Sequence, residues 1–262
     1  MAEINAQLVK KLREMTGAGM MECKKALVQA DGNLDKAVEI LRTLGIGGAS
    51  KKEGRSTKQG LLGIKISADG KSGVLVEVNC ESDFVARTED FQALVRDIAE
   101  HIAELKPTHV RQEEVAQAAS EAIVLYEQKF SKDPNQTVSE LIKSKIAKLG
   151  ENIAVSRFAI LSVKSSGVVG SYVHTGAQVA SIVKLHSTDE ATHQEEFSTL
   201  VRDIAMHITA ANPQFIGKEM RLSQVEYAPK TDVAGILGFY MGKNTPERKD
   251  YIMGNLVVPV EE

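Results

Sequence analysis

Glu89-Asp90-Phe91-Gln92-Ala93-Leu94-Val95-Arg96-Asp97-Ile98-Ala99 and Glu195-Glu196-Phe197-Ser198-Thr199-Leu200-Val201-Arg202-Asp203-Ile204-Ala205 are two versions of one segment, 106 positions apart. The likeness continues to His101-Ile102 with His207-Ile208, and to Pro107 with Pro213. Phe91, Leu94, Val95, Ile98 and Ile102 recur every three or four residues, the spacing of one helical face. Helices are therefore predicted over about 88–105 and 190–211, each stopped by its proline. Before the first of them the period falls to two. Leu62, Ile64 and Ile66 alternate, Asp69-Gly70 turns the chain, and Val74, Val76 and Val78 alternate again, which reads as a hairpin. Gly167-Val168-Val169-Gly170 echoes Gly60-Leu61-Leu62-Gly63, and strands are predicted over 152–163, 167–174 and 178–186. A strand–strand–helix unit thus occurs twice. Two copies are too few for a solenoid. They fit an α+β fold of two repeated subdomains, each with antiparallel strands packed on a long helix.

Outside the repeat the first 46 residues read as three short helices. Ile4, Leu8, Leu12 and Met15 share one face, and Gly17-Ala18-Gly19 breaks the pattern. Cys23, Ala26, Leu27 and Ala30 form a second stripe. Asn33 caps a third helix that carries Leu34, Ala37, Val38 and Leu41 and should stop at Gly45. A bundle this small has a thin core and should pack on something else. Residues 47–59 hold Lys51, Lys52, Arg55 and Lys58 against Glu53 alone. They read as a flexible basic linker, with phosphate or acid binding as the lesser alternative. Two further helices are expected over 111–130 and 137–149. The organisation is then a three-helix module (1–46), a basic linker (47–59), two core subdomains (60–164 and 165–228) and a tail (229–262). In the tail, 233–239 reads as a short helix and 255–260 as a strand.

Composition removes several functions. Lys and Arg total 32 against 35 Asp and Glu, a net charge of −3, which argues against a dedicated nucleic-acid binder. The absence of Trp, with aromatics at 5%, leaves little for a base-stacking platform. Two cysteines, Cys23 and Cys80, can supply neither a disulfide framework nor a four-thiolate zinc site. Apolar runs such as Val74-Leu75-Val76 are too short for a membrane span, and Met1-Ala2-Glu3-Ile4-Asn5 lacks a signal-peptide pattern. A soluble, cytoplasmic protein without membrane contact is expected. No G-x-x-x-x-G-K-[ST] loop, no G-x-G-x-x-G after a strand and no G-x-S-x-G elbow is present. The six histidines have no metal-ligand spacing, so neither a metal nor a cofactor is expected. His101 and His207 recur in the repeat and read as buried or half-buried structural histidines. Cys80 has no obvious His partner and reads as a small buried hydrophobe.

One stretch carries functional information. Asn79-Cys80-Glu81-Ser82-Asp83-Phe84-Val85-Ala86-Arg87 falls between the first hairpin and the first long helix. A Phe in such a connection either enters its own core or projects as an anchor for a partner's pocket. The residues by themselves leave both readings open.

This stretch closely resembles the signature of bacterial translation elongation factor Ts. Val9 to Lys25, with Leu12-Arg13, Thr16-Gly17-Ala18-Gly19-Met20-Met21 and Cys23-Lys24-Lys25-Ala26-Leu27, resembles that family's N-terminal module, which is similar to the ubiquitin-associated three-helix fold. Leu149-Gly150-Glu151-Asn152-Ile153 and Gly170-Ser171-Tyr172-Val173-His174 also look like family segments. The resemblance covers about residues 1–216. It implies a guanine-nucleotide exchange factor for the GTPase elongation factor Tu, and neither an enzyme nor a direct nucleotide binder. Asp83 and Phe84 would wedge against the switch-region helices, and Ser82 to Val85 would form the element that dislodges Mg²⁺. Leu149 and Gly150 would touch the same GTPase domain, and Arg13, Met20 and Met21 would hold it from the other side. His174 matches a family position that faces the partner, although Val173 stands where glutamine is usual and Thr175 precedes Gly176. Residues 218–262 match neither the family's long coiled coil nor its C-terminal module, which leaves homodimer formation open. Two other classes remain in view: an adaptor binding a ubiquitin-like or other partner through residues 1–46, and a small enzyme using Cys80 or a carboxylate, for which no convergent base and nucleophile is visible.

Overall fold

The computed structural model describes residues 4–115, 122–163, 167–186, 195–211, 234–242 and 251–258. Pro213, the 190–194 start of the second long helix and the last residues of the tail strand lie outside them. Three helices open the chain: α1 (Ala6–Thr16), α2 (Met20–Gln29) and α3 (Leu34–Ser50). Asn5 and Asn33 cap α1 and α3 by accepting from Leu8 N and Lys36 N. Gly17, at φ 67°, closes α1 in the left-handed conformation that only glycine adopts cheaply. Leu12, Cys23, Ala26, Leu27 and Ala37 are fully buried between the three helices.

Helix α3 does not stop at Gly45 but runs to Ser50. A glycine inside a helix costs about 1 kcal/mol. Packing offsets it here, since Ala49 is fully buried in the main core. The basic stretch that follows is not a free tether. Its carbonyls at Glu53 and Arg55 accept from Asn152 Nδ2 at 3.1 and 2.8 Å, and Lys52 Nζ donates to the Gly150 carbonyl at 2.9 Å.

The core that follows has four layers. Strands β1 (Gln59–Ile66), β2 (Ser72–Cys80) and β5 (Ile153–Ser162) form an antiparallel sheet in the order β1-β2-β5. Helix α5 (Glu89–Leu105) packs on one face through Phe91, Leu94, Val95, Ile98 and Ile102, against Val74, Val76 and Val78. The other face buries Leu62, Leu75, Ala159 and Leu161 against Val169, Ala180 and Ile182 of the second sheet. That sheet runs β6 (Gly167–Val173), β7 (Val179–His186), β8 (Ala234–Gly242) and β9 (Tyr251–Val258). Its far face carries helix α7 (Glu195–Ala211), which buries Val201, Ala205 and Ile208. Covered on both faces, β2 is buried almost throughout, which its period-two pattern alone did not foretell.

The repeat extends one strand further than the sequence indicated, because β8 pairs with β7 as β5 pairs with β2. Residues 233–239 are therefore not a helix; from Ala234 they lie in β8, where ladder pairing to β7 decides the conformation. Gly63 and Gly170 hold equivalent positions. A Cβ on Gly63 would meet Val95 Cγ1 at 2.7 Å, and one on Gly170 would run into Val201 Cγ1. In both copies glycine lets the helix approach its strand.

Residues 111–130 are not a helix either. Their described part holds two short 3-10 turns, Gln112–Glu114 and Leu125–Glu127, and strand β3 (Lys129–Phe130), which pairs with β4 (Asp133–Thr137). Long-range packing decides the conformation, since Val110, Val124, Leu125 and Phe130 are all buried in or beside the core, and locally Glu114 accepts from Val110 N at 2.9 Å. Helix α6 (Val138–Leu149) then begins at Thr137, whose hydroxyl accepts from Glu140 N while Glu140 accepts from Thr137 N.

His101 is fully buried. Its Nδ1 accepts from Ser131 N at 3.1 Å, and Nε2 faces Gln128 Oε1 at 3.1 Å. His207 is exposed, contrary to the expected structural pair. The residues that cover His101 belong to the 108–137 excursion after α5.

Candidate functional site

Helix α4 (Asp83–Ala86) is a single turn following β2. Ser82 caps it, its hydroxyl accepting from Val85 N at 3.3 Å. Val85 and Ala86 point into the core, and Asp83 forms an ion pair with Arg87 at 2.9 Å. These contacts leave Phe84 facing outward, 80% exposed. That settles the alternative left open by the sequence: Phe84 projects and is not core. Cys80, by contrast, is fully buried, with Sγ 3.1 Å from the Ser82 carbonyl. Its thiol is out of reach of a substrate.

A one-turn helix cannot hold itself in place. The chain before β5 holds it. The Glu151 carboxylate accepts from Ser82 N at 2.9 Å and from Ser82 Oγ at 2.5 Å. Glu81 returns the arrangement by accepting from Asn152 N at 2.6 Å, and Arg55 lies 3.5 Å from the same Glu81 oxygen. Glu81, Glu151 and Asn152 received no role from the sequence. Their partners lie 69 to 99 positions away in the chain and are mostly backbone groups, which leave no periodic trace.

Leu149 and Gly150 directly precede this clamp. Leu149 packs on the main core, and Gly150, exposed at φ 82°, ends α6. One residue earlier, Lys148 bonds Asp90 at 2.8 Å and holds its carboxyl below the usual carboxylate range. The Lys148 stem lies against Gly17, where an added Cβ would meet Cε at 2.6 Å. Beyond that turn, Glu22 accepts from Gly19 N, and α2 starts with Met20 and Met21, 50% and 65% exposed. Arg13, on the last turn of α1, is exposed as well.

His174 follows β6 and is exposed, with its Nδ1 3.4 Å from the Tyr172 hydroxyl. The β6–β7 turn docks on β1: Leu62 N donates to Ala177 O and Gln178 Nε2 to Gly60 O, both at 2.9 Å. Gly60 pairs with Asn79, just before the Ser82 loop. Ser82 is joined through Glu151 to the turn that holds Leu149 and Gly150, the β6–β7 turn after His174 docks on β1, and Gly17, between Arg13 and Met20, lies against Lys148 of α6.

Among the described residues no group of three or more His, Cys, Asp or Glu side chains is placed to hold a metal ion, and no helix is long and apolar enough to cross a membrane. Exposed large apolar side chains, here Phe84, Met20 and Met21, are of the kind that protein-binding proteins present to their partners.

Comparison with known proteins gives the class its family. Residues 81–227 match the family model described as elongation factor TS, and residues 4–41 match the UBA/TS-N domain. The chain belongs to the elongation factor Ts family. It is 44% identical over 216 residues to elongation factor Ts of Clostridium kluyveri, covering 82% of this chain and 65% of that protein. The Nostoc punctiforme protein of the same name is 43% identical over 235 residues (88% and 70% covered). That of Solibacter usitatus is 50% identical over 196 residues (62% and 92% covered). The chain spans just under two thirds of the length of the Clostridium kluyveri and Trichlorobacter lovleyi relatives.

Proposed function

We propose that this protein is a guanine-nucleotide exchange factor that binds GDP-bound elongation factor Tu, displaces Mg²⁺ and speeds GDP release during translation elongation. The observation that carries the reading is Phe84, a large apolar side chain 80% exposed on a rigid turn. An exchange factor makes and breaks no covalent bond. It binds the nucleotide-free GTPase better than the nucleotide-bound one, and linkage then weakens nucleotide in equal proportion. Mg²⁺ demands near-ideal octahedral geometry, so a small displacement of the helices that carry its ligands loosens it. Phe84 supplies that displacement by inserting between those helices. Ser82, Asp83 and Val85 fix the turn from which it projects. Leu149 and Gly150 rest on the same GTPase domain, Arg13, Met20 and Met21 hold its far side, and His174 meets the partner from the second subdomain. The ties of the N-terminal module to α6, at Gly17–Lys148 and Lys52–Gly150, support one continuous surface over an independent adaptor module.

The test is GDP release from preloaded elongation factor Tu, followed with a fluorescent nucleotide. Acceleration by substoichiometric protein is expected. No acceleration, together with partner capture by residues 1–46 alone, would establish the adaptor reading instead.

A further inference from the structure

Phe84 is 80% exposed, so its aim is set chiefly by the backbone of α4. That backbone is tied at its capping residue, Ser82, to the chain before β5 by the Glu151 carboxylate. We propose that Glu151 is a positioning residue for exchange: by accepting from both the N–H and the Oγ–H of Ser82, it sets the angle of α4 and hence of Phe84.

Three observations combine. First, Ser82 Oγ is used twice, accepting from Val85 N and donating to Glu151, so the cap of α4 and its tether share one atom. Charge-assisted hydrogen bonds of this kind are the strong, directional ones. Second, the tether is reciprocal, because Asn152 N donates to Glu81, the residue before Ser82. The loop is held at two consecutive residues and cannot swivel about either one. Third, Asn152, only 4% exposed, also binds the Glu53 and Arg55 carbonyls. The frame that aims Phe84 therefore also fixes the connector to the N-terminal helices. Pushing helices apart requires a lever that does not yield, and a looser α4 would bind the partner while transmitting less displacement.

The inference rests on the exchange reading, and the experiment separates the two. GDP release is measured against factor concentration for the parent, Phe84→Ala, Glu151→Ala and Glu151→Gln, with a melting curve for each. Glu151→Ala is expected to lower the maximal release rate about tenfold, on the scale that a small misplacement of a working group causes. The half-saturating concentration should change less than about threefold. Glu151→Gln, which retains an acceptor for Ser82 N and a group able to bond Oγ, should recover most of the loss. Adding Glu151→Ala to Phe84→Ala should cost little more, since the two act through one lever. A parent-like maximal rate in Glu151→Ala, or a rate loss that Glu151→Gln does not recover while melting is unchanged, overturns the positioning role. Should Glu151→Ala fold poorly, Ser82→Ala takes its place in the double variant: non-additivity with Phe84→Ala supports the positioning role, and full additivity overturns it. No release by the parent would instead overturn the exchange reading itself.

Discussion

Helices α5 and α7 carry the same Phe-x-x-Leu-Val-Arg-Asp-Ile-Ala run and approach their own sheets through equivalent residues, Val95 on Gly63 and Val201 on Gly170. Their flanks differ. Around α5 the 108–137 excursion folds back, so Phe91, Leu94 and His101 are fully buried, with the Phe130 ring 5.7 Å from that of His101. Around α7 the equivalent Phe197 is half-buried, Leu200 is 49% exposed and His207 is open. The repeated sequence thus specifies the contact between helix and sheet. What covers α5 beyond its sheet comes from the described residues that follow it. The better-wrapped copy is also the one from which Phe84 projects, and the proposed wedge would need such a firm mount.

The comparison breaks most visibly at the paired phenylalanines. Phe91→Ala should cost about 3–5 kcal/mol, the usual loss for a buried Phe, and Phe197→Ala less than half of that. Urea unfolding with unchanged m-values measures both, and equal losses would mean that the two helices are equally wrapped. The shared contact gives the next effect. Gly63→Ala and Gly170→Ala should each cost about 1–3 kcal/mol by overpacking against Val95 and Val201, and a neutral result at either site would show that this copy does not need the close approach. Leu200→Gln should change stability by no more than about 0.5 kcal/mol, whereas Leu94→Gln should unfold the protein at far lower denaturant.

The smallest effect is in pH dependence. Burial lowers the pKa of His101, opposed by its Gln128 hydrogen bond and by Glu104. Between the lowered value and the ordinary histidine value the unfolded chain binds a proton that the folded chain refuses. Stability therefore rises with pH through that window and is fully present above the ordinary value. His101→Gln should flatten this rise, and an unchanged slope in paired melts from about pH 5 to 8 would remove His101 as its source.

Elements with strong local periodicity were legible in the sequence: α1, α2, α5, α6, the first hairpin and the described part of α7. Three features were not, each because a distant partner decides it. Residues 111–130 have helical apolar spacing, but Val110, Val124 and Phe130 are recruited to the core one at a time. Gly235 and Gly238 sit among apolar residues that read as a short helix, until pairing with β7 makes that segment a strand. Gly45 looked like a stop, and buried Ala49 carried α3 past it. At the candidate site, Ser82, Asp83 and Phe84 stood out as a strand-to-helix connection. The clamp of Glu81, Glu151 and Asn152 did not, because apart from the Ser82 hydroxyl it binds backbone N–H and C=O groups, which nearly every residue type presents.

Phe84 stands outside the fold, and Phe91, seven residues on, is buried inside it. The most direct measurement is GDP release from elongation factor Tu together with the melting temperature, on single preparations of Phe84→Ala and Phe91→Ala. Phe84→Ala should melt like the parent, keep most of its affinity for the partner and release GDP far more slowly than the parent, though still measurably faster than the unassisted rate. Phe91→Ala should melt far lower yet, while folded, exchange normally. A Phe84→Ala protein that melts much lower but drives release at the parent's rate would contradict the proposed wedge.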